Sequence, residues 1–203
     1  MDEHLEEIRE QSRTKILEGA LRLFVRHGYA ATSVRMIAEE AGVSQGLLYN
    51  YFDGKEGLLR SIFERSMEDV RESFERTSGG ETPRDRLERL VFAAFDIVRS
   101  KLPFWRLAYQ LRMQSDVLGG LEPYVREWPE SIRLHLEELL RAIGVASPAL
   151  EARLLFAAID GAAQHYAIDP ERYPLEEVAG ALVRRFLPAT AGAPGGLTQE
   201  AGS

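Results

Sequence analysis

Apolar positions recur at three- and four-residue steps along most of the chain. Ile16, Leu17, Ala20, Leu21, Phe24 and Val25 form the first such stripe. That spacing places side chains on one face of an α-helix, and Gly28 is where the helix should stop. Val34, Ile37, Ala38 and Ala41 predict a second, short helix with Ser33 as its N-cap and Gly42 at its end. Ser44 reads as the N-cap of a third helix running to about Tyr51. Asp53-Gly54-Lys55-Glu56 is a turn and cap, and Leu58, Leu59, Ile62, Phe63, Met67, Val70 and Phe74 stripe a longer fourth helix.

Ser78-Gly79-Gly80 breaks that helix and is the best internal boundary. In Thr82-Pro83-Arg84-Asp85 an N-cap residue is followed by a proline in the first turn and an acid three residues after the cap. Leu87, Leu90, Val91, Ala94, Phe95 and Val98 continue the helical pattern. Further helices are predicted at about 104–115, 123–143, 148–167 and 174–187. Gly119-Gly120, Gly144, Ser147-Pro148, Asp169-Pro170 and Tyr173-Pro174 punctuate them. No segment alternates with period two over strand length, so the chain reads as all-α with about nine helices. Residues 10–57 are expected to form a small helical head with a motif at 33–52. Residues 58–187 should form a larger helical domain, and 188–203, rich in Pro, Gly, Ala and Thr, a disordered tail.

The 203 residues, 45% hydrophobic and 28% charged, suit a soluble globular protein. The absence of cysteine excludes disulfides, thiolate metal sites and a cysteine nucleophile. The longest apolar run, Leu90–Phe95, is far short of the roughly 20 residues a membrane span needs. Residues 1–10 hold five acids and no apolar run, so they are not a secretory signal, and a cytoplasmic location is expected. The net charge of −7 is unevenly placed. Residues 12–57 carry six bases (Arg13, Lys15, Arg22, Arg26, Arg35, Lys55) against five acids, while the chain on either side is acidic.

Residues 33–52 have the form of a helix-turn-helix, with Gly42 at the turn and Val43 as an apolar plug. The second helix of such a unit projects into the major groove of a duplex. Leu48 and Phe52, four apart, should face inward, leaving Gln45, Gly46, Leu47, Tyr49, Asn50 and Tyr51 on the other faces. Glutamine can pair bidentately with adenine, leucine can pack on a thymine methyl, and tyrosine hydroxyls or a lysine can hold phosphate.

Three segments carry a resemblance: Phe24 to Tyr29, Thr32 to Ser44, and Gly46 to Leu58. Over about residues 12–60 the chain resembles the N-terminal domain of TetR-type transcriptional regulators. The resemblance implies a homodimeric repressor whose two heads read a palindromic operator in double-stranded DNA. It places Ser33, Val34 and Arg35 against the DNA backbone, with Arg35 able to reach a base. Gln45, Gly46, Leu47 and Asn50 fall on base and groove positions, Tyr49, Tyr51 and Lys55 on phosphate positions, and Ser44 belongs to the same DNA-binding set. Asn50 and Tyr51 depart from the aromatic and histidine residues common there, so the operator sequence does not transfer. The acidic arm from Asp2 to Glu10 is poorly suited to the minor groove.

The remaining candidates lie in the larger domain. Ala158, Gly161 and Ala162 allow close helix approach, and with Val178, Leu182 and Phe186 they could form an intersubunit four-helix bundle or pack within the chain. Phe92, Phe95, Phe104, Trp105, Tyr109, Met113, Tyr124, Trp128 and Phe156 are aromatic or adaptable residues, most of them expected in the core, that could line an effector cavity. Gln110, Gln114, His135 and His165 could supply its polar groups. Such a cavity would take a small amphipathic or hydrophobic molecule. The four histidines have no carboxylate at metal-ligand spacing, and neither G-x-S-x-G nor a Gly-rich phosphate loop occurs, so no metal, cofactor or catalytic site is expected. The competing reading is an all-helical protein-interaction module that does not bind DNA.

Overall fold

The computed structural model describes residues 2–76, 82–114, 121 and 123–187. Nine α-helices and one π-helical turn make up the regular structure among the described residues. The head comprises α1 (Asp2–His27), α2 (Val34–Ala41) and α3 (Gln45–Tyr51), and α4 (Gly54–Arg76) leaves it. Then come α5 (Pro83–Ser100), α6 (Leu102–Leu111), the π-helical turn Pro123–Glu127, α7 (Trp128–Ile143), α8 (Pro148–Ile168) and α9 (Leu175–Phe186).

Helix α1 begins ten residues or more before its apolar stripe. Positions 4 and 6–11 are exposed, and burial starts only at Ile16. No periodicity could announce this extension, because its described side chains up to position 11 are exposed. Acidic residues near the N-terminus suit the helix dipole, and pairs such as Glu10–Arg13 at 3.7 Å run along its face. α1 crosses α2 closely at Gly19, where an added Cβ would lie 3.2 Å from Glu40 Cγ. Beside that crossing, Arg22 Nε donates to Glu40 Oε1 at 3.0 Å.

The predicted caps are formed. Ser33 Oγ accepts from the Met36 amide at 3.2 Å and Ser44 Oγ from the Leu47 amide at 3.1 Å. At the turn, Gly42 has φ of 69°, a left-handed conformation that costs glycine little. The Val43 amide closes α2 on the Ala38 carbonyl at 3.0 Å, and Val43 itself packs on the core. The Thr82–Asp85 capping box is reciprocal, with both bonds at 3.2 Å. The predicted helix at 104–115 is shifted: Lys101, at φ −117° and ψ 32°, separates α5 from α6, and Pro103 sits in the first turn of α6. A proline is tolerated there because that amide has no intrahelical partner anyway.

Two hydrophobic cores result. One joins the head (Ile16, Leu23, Phe24, Ile37, Leu48, Phe52) to α4 and to Phe104, Leu107 and Leu111 of α6. The other is formed by α5, α7, α8 and α9 around Leu87, Leu136, Leu140 and Leu155. The breaks expected at Ser78-Gly79-Gly80 and Gly119-Gly120, the tail 188–203 and the side chain of Phe74 lie outside the described residues.

Candidate nucleic-acid interface and effector cavity

Inward packing of Leu48 (fully buried) and Phe52 orients α3 and turns its other faces outward. Gln45, Gly46, Tyr49 and Asn50 are exposed, Tyr49 to 57%, and Leu47 and Tyr51 are half-buried. Ser33 and Arg35 are exposed on α2, Val34 is half-buried, and Ser44 is exposed ahead of α3. These side chains therefore share the outer surface of one helix-turn-helix. Arg35 is held by Glu39, with Nε donating to Oε1 at 2.8 Å, so a contact with phosphate would exchange one anionic partner for another.

Lys55 has a structural role that its sequence neighbours do not reveal. Its Nζ donates to the carbonyls of Tyr29 at 2.9 Å and Ala30 at 3.2 Å and lies 4.4 Å from the centre of the Tyr29 ring. This ties the first turn of α4 to the α1–α2 connection. An ammonium has three N–H donors, so one remains for an external acceptor. The same connection is pinned by the buried Thr32, whose Oγ1 donates to the carbonyls of Gly28 at 2.8 Å and Leu23 at 3.3 Å.

An apolar cavity lies between α4, α5, α6, the π-helical turn, α7 and α8, with about 120 Å³ available to the centres of water-sized molecules. Of the predicted lining residues, Phe104, Trp105, Tyr109, Tyr124, Trp128 and Phe156 are in its wall. The structure places the others elsewhere. Phe92 is exposed on α5, Phe95 is buried in the second core, and Met113 is 90% exposed just beyond α6. His135 is exposed near Glu138, and His165 stacks on Tyr173 at the surface, with ring centres 5.9 Å apart. Gln110 Nε2 reaches the Val25 carbonyl at 3.5 Å, and Gln114 Nε2 the Gln110 carbonyl at 3.0 Å. The sequence reading missed Phe63, Met67 and Val70 of α4 and the pair Arg112–Asp160, all of which line the cavity.

Arg112 donates to both carboxylate oxygens of Asp160, at 2.5 and 2.8 Å, and its guanidinium lies 5.0 Å from the Tyr109 ring centre. The bond to Asp160 raises the guanidinium's affinity for its proton. Burial, and then the Asp160 charge, hold the Tyr109 phenol well above its ordinary range. Among the described residues no group of three or more His, Asp or Glu could hold a metal ion. No helix among them is long and apolar enough to cross a membrane.

Of the candidate interface residues, Ala162 is buried in the second core, and Val178, Leu182 and Phe186 pack against it half-buried. Ala158 and Gly161 are half-buried, and a Cβ added at Gly161 would meet nothing within 4 Å. Along α8, Leu150, Leu154, Ala157, Gly161, Gln164 and Ile168 follow alternating steps of four and three. Leu150, Leu154 and Ile168 on this face are 56%, 50% and 72% exposed.

Comparison with known proteins accords with this architecture. Residues 16–62 match the family described as "Bacterial regulatory proteins, tetR family", and residues 84–189 match "Tetracyclin repressor-like, C-terminal domain". The chain is 29% identical over 163 residues to the uncharacterized HTH-type transcriptional regulator YuxN of Bacillus subtilis, covering 74% of this chain and 52% of the relative. The chain thus spans about half the length of that relative. Among solved structures, the regulator FadR of Bacillus subtilis in complex with stearoyl-CoA superposes with a TM-score of 0.72 at 19% identity, covering 87% of this chain and 98% of that one. The SmeT–triclosan complex does so with a TM-score of 0.70 at 23% identity, covering 95% and 100%. The C-terminal match spans more than half of the chain and the N-terminal match falls on the helix-turn-helix: the chain belongs to the tetR family of bacterial regulatory proteins.

Proposed function

We propose that this chain is a ligand-responsive, DNA-binding transcriptional regulator. It acts as a repressor, released from a palindromic operator when a small amphipathic or hydrophobic molecule enters the cavity. The observation that carries the reading is the outward face of α3. Its exposed Gln45, Gly46, Tyr49 and Asn50 stand on a helix oriented from within by Leu48. Ser33, Val34, Arg35, Ser44, Leu47, Tyr51 and Lys55 complete the proposed contact surface. In this reading Gln45, Gly46, Leu47 and Asn50 read bases, and Tyr49, Tyr51 and the spare donor of Lys55 hold phosphates. The protein works in the cytoplasm, without a cofactor and without catalysis.

Two heads are needed to read a palindrome, so the functional unit is a homodimer. The exposed apolar face of α8 supports a dimer seam that includes Ala158 and Gly161, with Ala162 behind it and Val178, Leu182 and Phe186 of α9 alongside. Two α8 and two α9 helices would then form a four-helix bundle. The head occupies residues 10–57 and the effector and dimer domain residues 58–187. The cavity communicates with the head through shared helices. α4 carries Leu58 and Leu59 in the head core and Phe63, Met67 and Val70 in the cavity wall. α6 carries Leu107 and Leu111 in the head core and Trp105, Ala108 and Tyr109 in the cavity wall. An effector shifts the dimer between two head separations by as much as its affinities for the two states differ. Complexes of FadR with stearoyl-CoA and of SmeT with triclosan support an effector role for the cavity.

Equilibrium binding to duplex DNA at several salt concentrations tests the reading. The logarithm of the affinity should fall linearly with the logarithm of salt, and Lys55→Ala should weaken binding on all sequences and lower the slope by about one. Salt-insensitive binding, or none, would favour the protein-interaction module instead.

A further inference from the structure

Among the described residues, the cavity assigned above to the effector has two charged side chains in its wall, Arg112 and Asp160. They are bound to each other. Both terminal guanidinium nitrogens donate to the carboxylate, at 2.5 and 2.8 Å, in a parallel two-bond pairing. Asp160 is about three-quarters buried and Arg112 somewhat more than half. The other described residues of the wall are apolar or aromatic, so among them an entering molecule meets no net charge.

A carboxylate head could use Arg112 only by displacing Asp160 and leaving that carboxylate without its partner. An ammonium head could use Asp160 only by stranding Arg112. Either exchange gives up a two-bond ion pairing, and stranding Asp160, the more buried partner, costs more than stranding Arg112. The groove adjoining the cavity across Met67, Tyr124 and Trp128 offers an anion nothing better. Glu64, Glu68 and Glu127 line it against Arg71, which is already bound to Glu68 and Glu75. A neutral donor, by contrast, is left without a partner beside the cavity. The buried Nε1–H of Trp105, a residue of the wall, has no hydrogen-bond partner among the described residues.

We infer that the cavity selects an uncharged apolar molecule bearing a neutral hydrogen-bond acceptor, such as a ketone, ester or ether oxygen, and that the Arg112–Asp160 pair excludes anionic amphiphiles. This inference rests on the effector reading of the cavity. It separates this chain from a regulator of free carboxylates or acyl-CoA esters, whose charge the wall does not accommodate.

The test uses the full chain without DNA. Its only two tryptophans, Trp105 and Trp128, both line the cavity, so intrinsic fluorescence reports directly on occupancy. Decan-2-one, decanoate and decylammonium are similar in length, transparent at the exciting wavelength and different in charge at pH 7. The ketone should bind at least about tenfold more tightly than either ion. Asp160→Asn leaves the guanidinium without its countercharge. In that variant decanoate should gain about tenfold or more while the ketone stays within about threefold of its original affinity, which also shows that the variant is folded. The inference is overturned if either ion matches the ketone in the unaltered protein, or if Asp160→Asn gains no affinity for decanoate. Silence of the tryptophans toward all three probes overturns it as well. Operator affinity measured on the same preparation keeps the two readings apart. Retained DNA binding without charge discrimination defeats the inference alone, whereas loss of DNA binding defeats the regulator.

Discussion

Replacing Leu48 by alanine removes the side chain that orients α3, and the size of the effect follows from its surroundings. Leu48 is fully buried, in the core shared by α1, α2, α4 and α6. Loss of its three outer carbons forfeits about 2.4 kcal/mol of transfer free energy at roughly 0.8 kcal/mol per carbon, and the cavity left behind brings the cost to about 3 kcal/mol. That is a large share of a typical domain's stability of about 5–15 kcal/mol. A helix of seven residues has no persistence of its own, so its geometry depends on this contact. Urea denaturation followed by circular dichroism measures the loss of stability, and operator titration measures the loss of binding. Gln45→Ala, on the exposed face of the same helix, is the control: stability should change by less than about 0.5 kcal/mol while base preference changes. A Leu48→Ala cost below about 1 kcal/mol would refute the idea that this residue sets the helix. So would Leu48→Ala and Gln45→Ala having the same effect on stability.

Three other outcomes are expected. Gly42→Ala should cost about 1 kcal/mol, because an added Cβ meets no atom within 4 Å and only the left-handed backbone at φ 69° is penalised; a thermal melt should show a fall of about 2–4 °C. Thr32→Val removes the one hydroxyl proton shared between the carbonyls of Gly28 and Leu23 and so unpins the connection, which should cost about 1 kcal/mol in chemical denaturation. Tyr109 is an acid whose folded pKa is raised, first by burial and then by Asp160, above its ordinary value of 10.0. The folded state therefore holds its proton where the unfolded state releases it, and this contribution to stability declines as pH rises above 10. Tyr109→Phe should flatten the decline in denaturation curves taken between about pH 9 and 11.

The helices and the inward positions of the head were legible because they follow rules local to the sequence. A cap residue sits next to the helix it closes, as Ser33, Ser44 and Thr82 do. Leu48 and Phe52 are separated by a single turn. The cavity was only half legible, for a physical reason. A stripe such as Phe63, Met67 and Val70 says that a face is covered, and cannot say whether the cover closes completely or leaves a space. Arg112 and Asp160 meet across 48 positions of sequence with no pattern linking them. Lys55 likewise finds its carbonyls 25 and 26 residues away. His135 and His165 drew notice by residue type, but their helices turn them to the surface. The extension of α1 escaped notice because its exposed residues carry no periodic signal.

Selection of bound fragments from random-sequence duplex DNA, carried out in parallel with the unaltered protein, Gln45→Ala and Asn50→Ala, tests the central claim most directly. The unaltered protein should enrich a twofold-symmetric site whose half-sites lie about one helical turn, ~34–36 Å, apart or a multiple of it. Each variant should lose preference at particular base pairs, symmetrically in both halves. Recovery of one and the same enriched sequence from all three proteins would contradict the assignment of α3 as the reading helix.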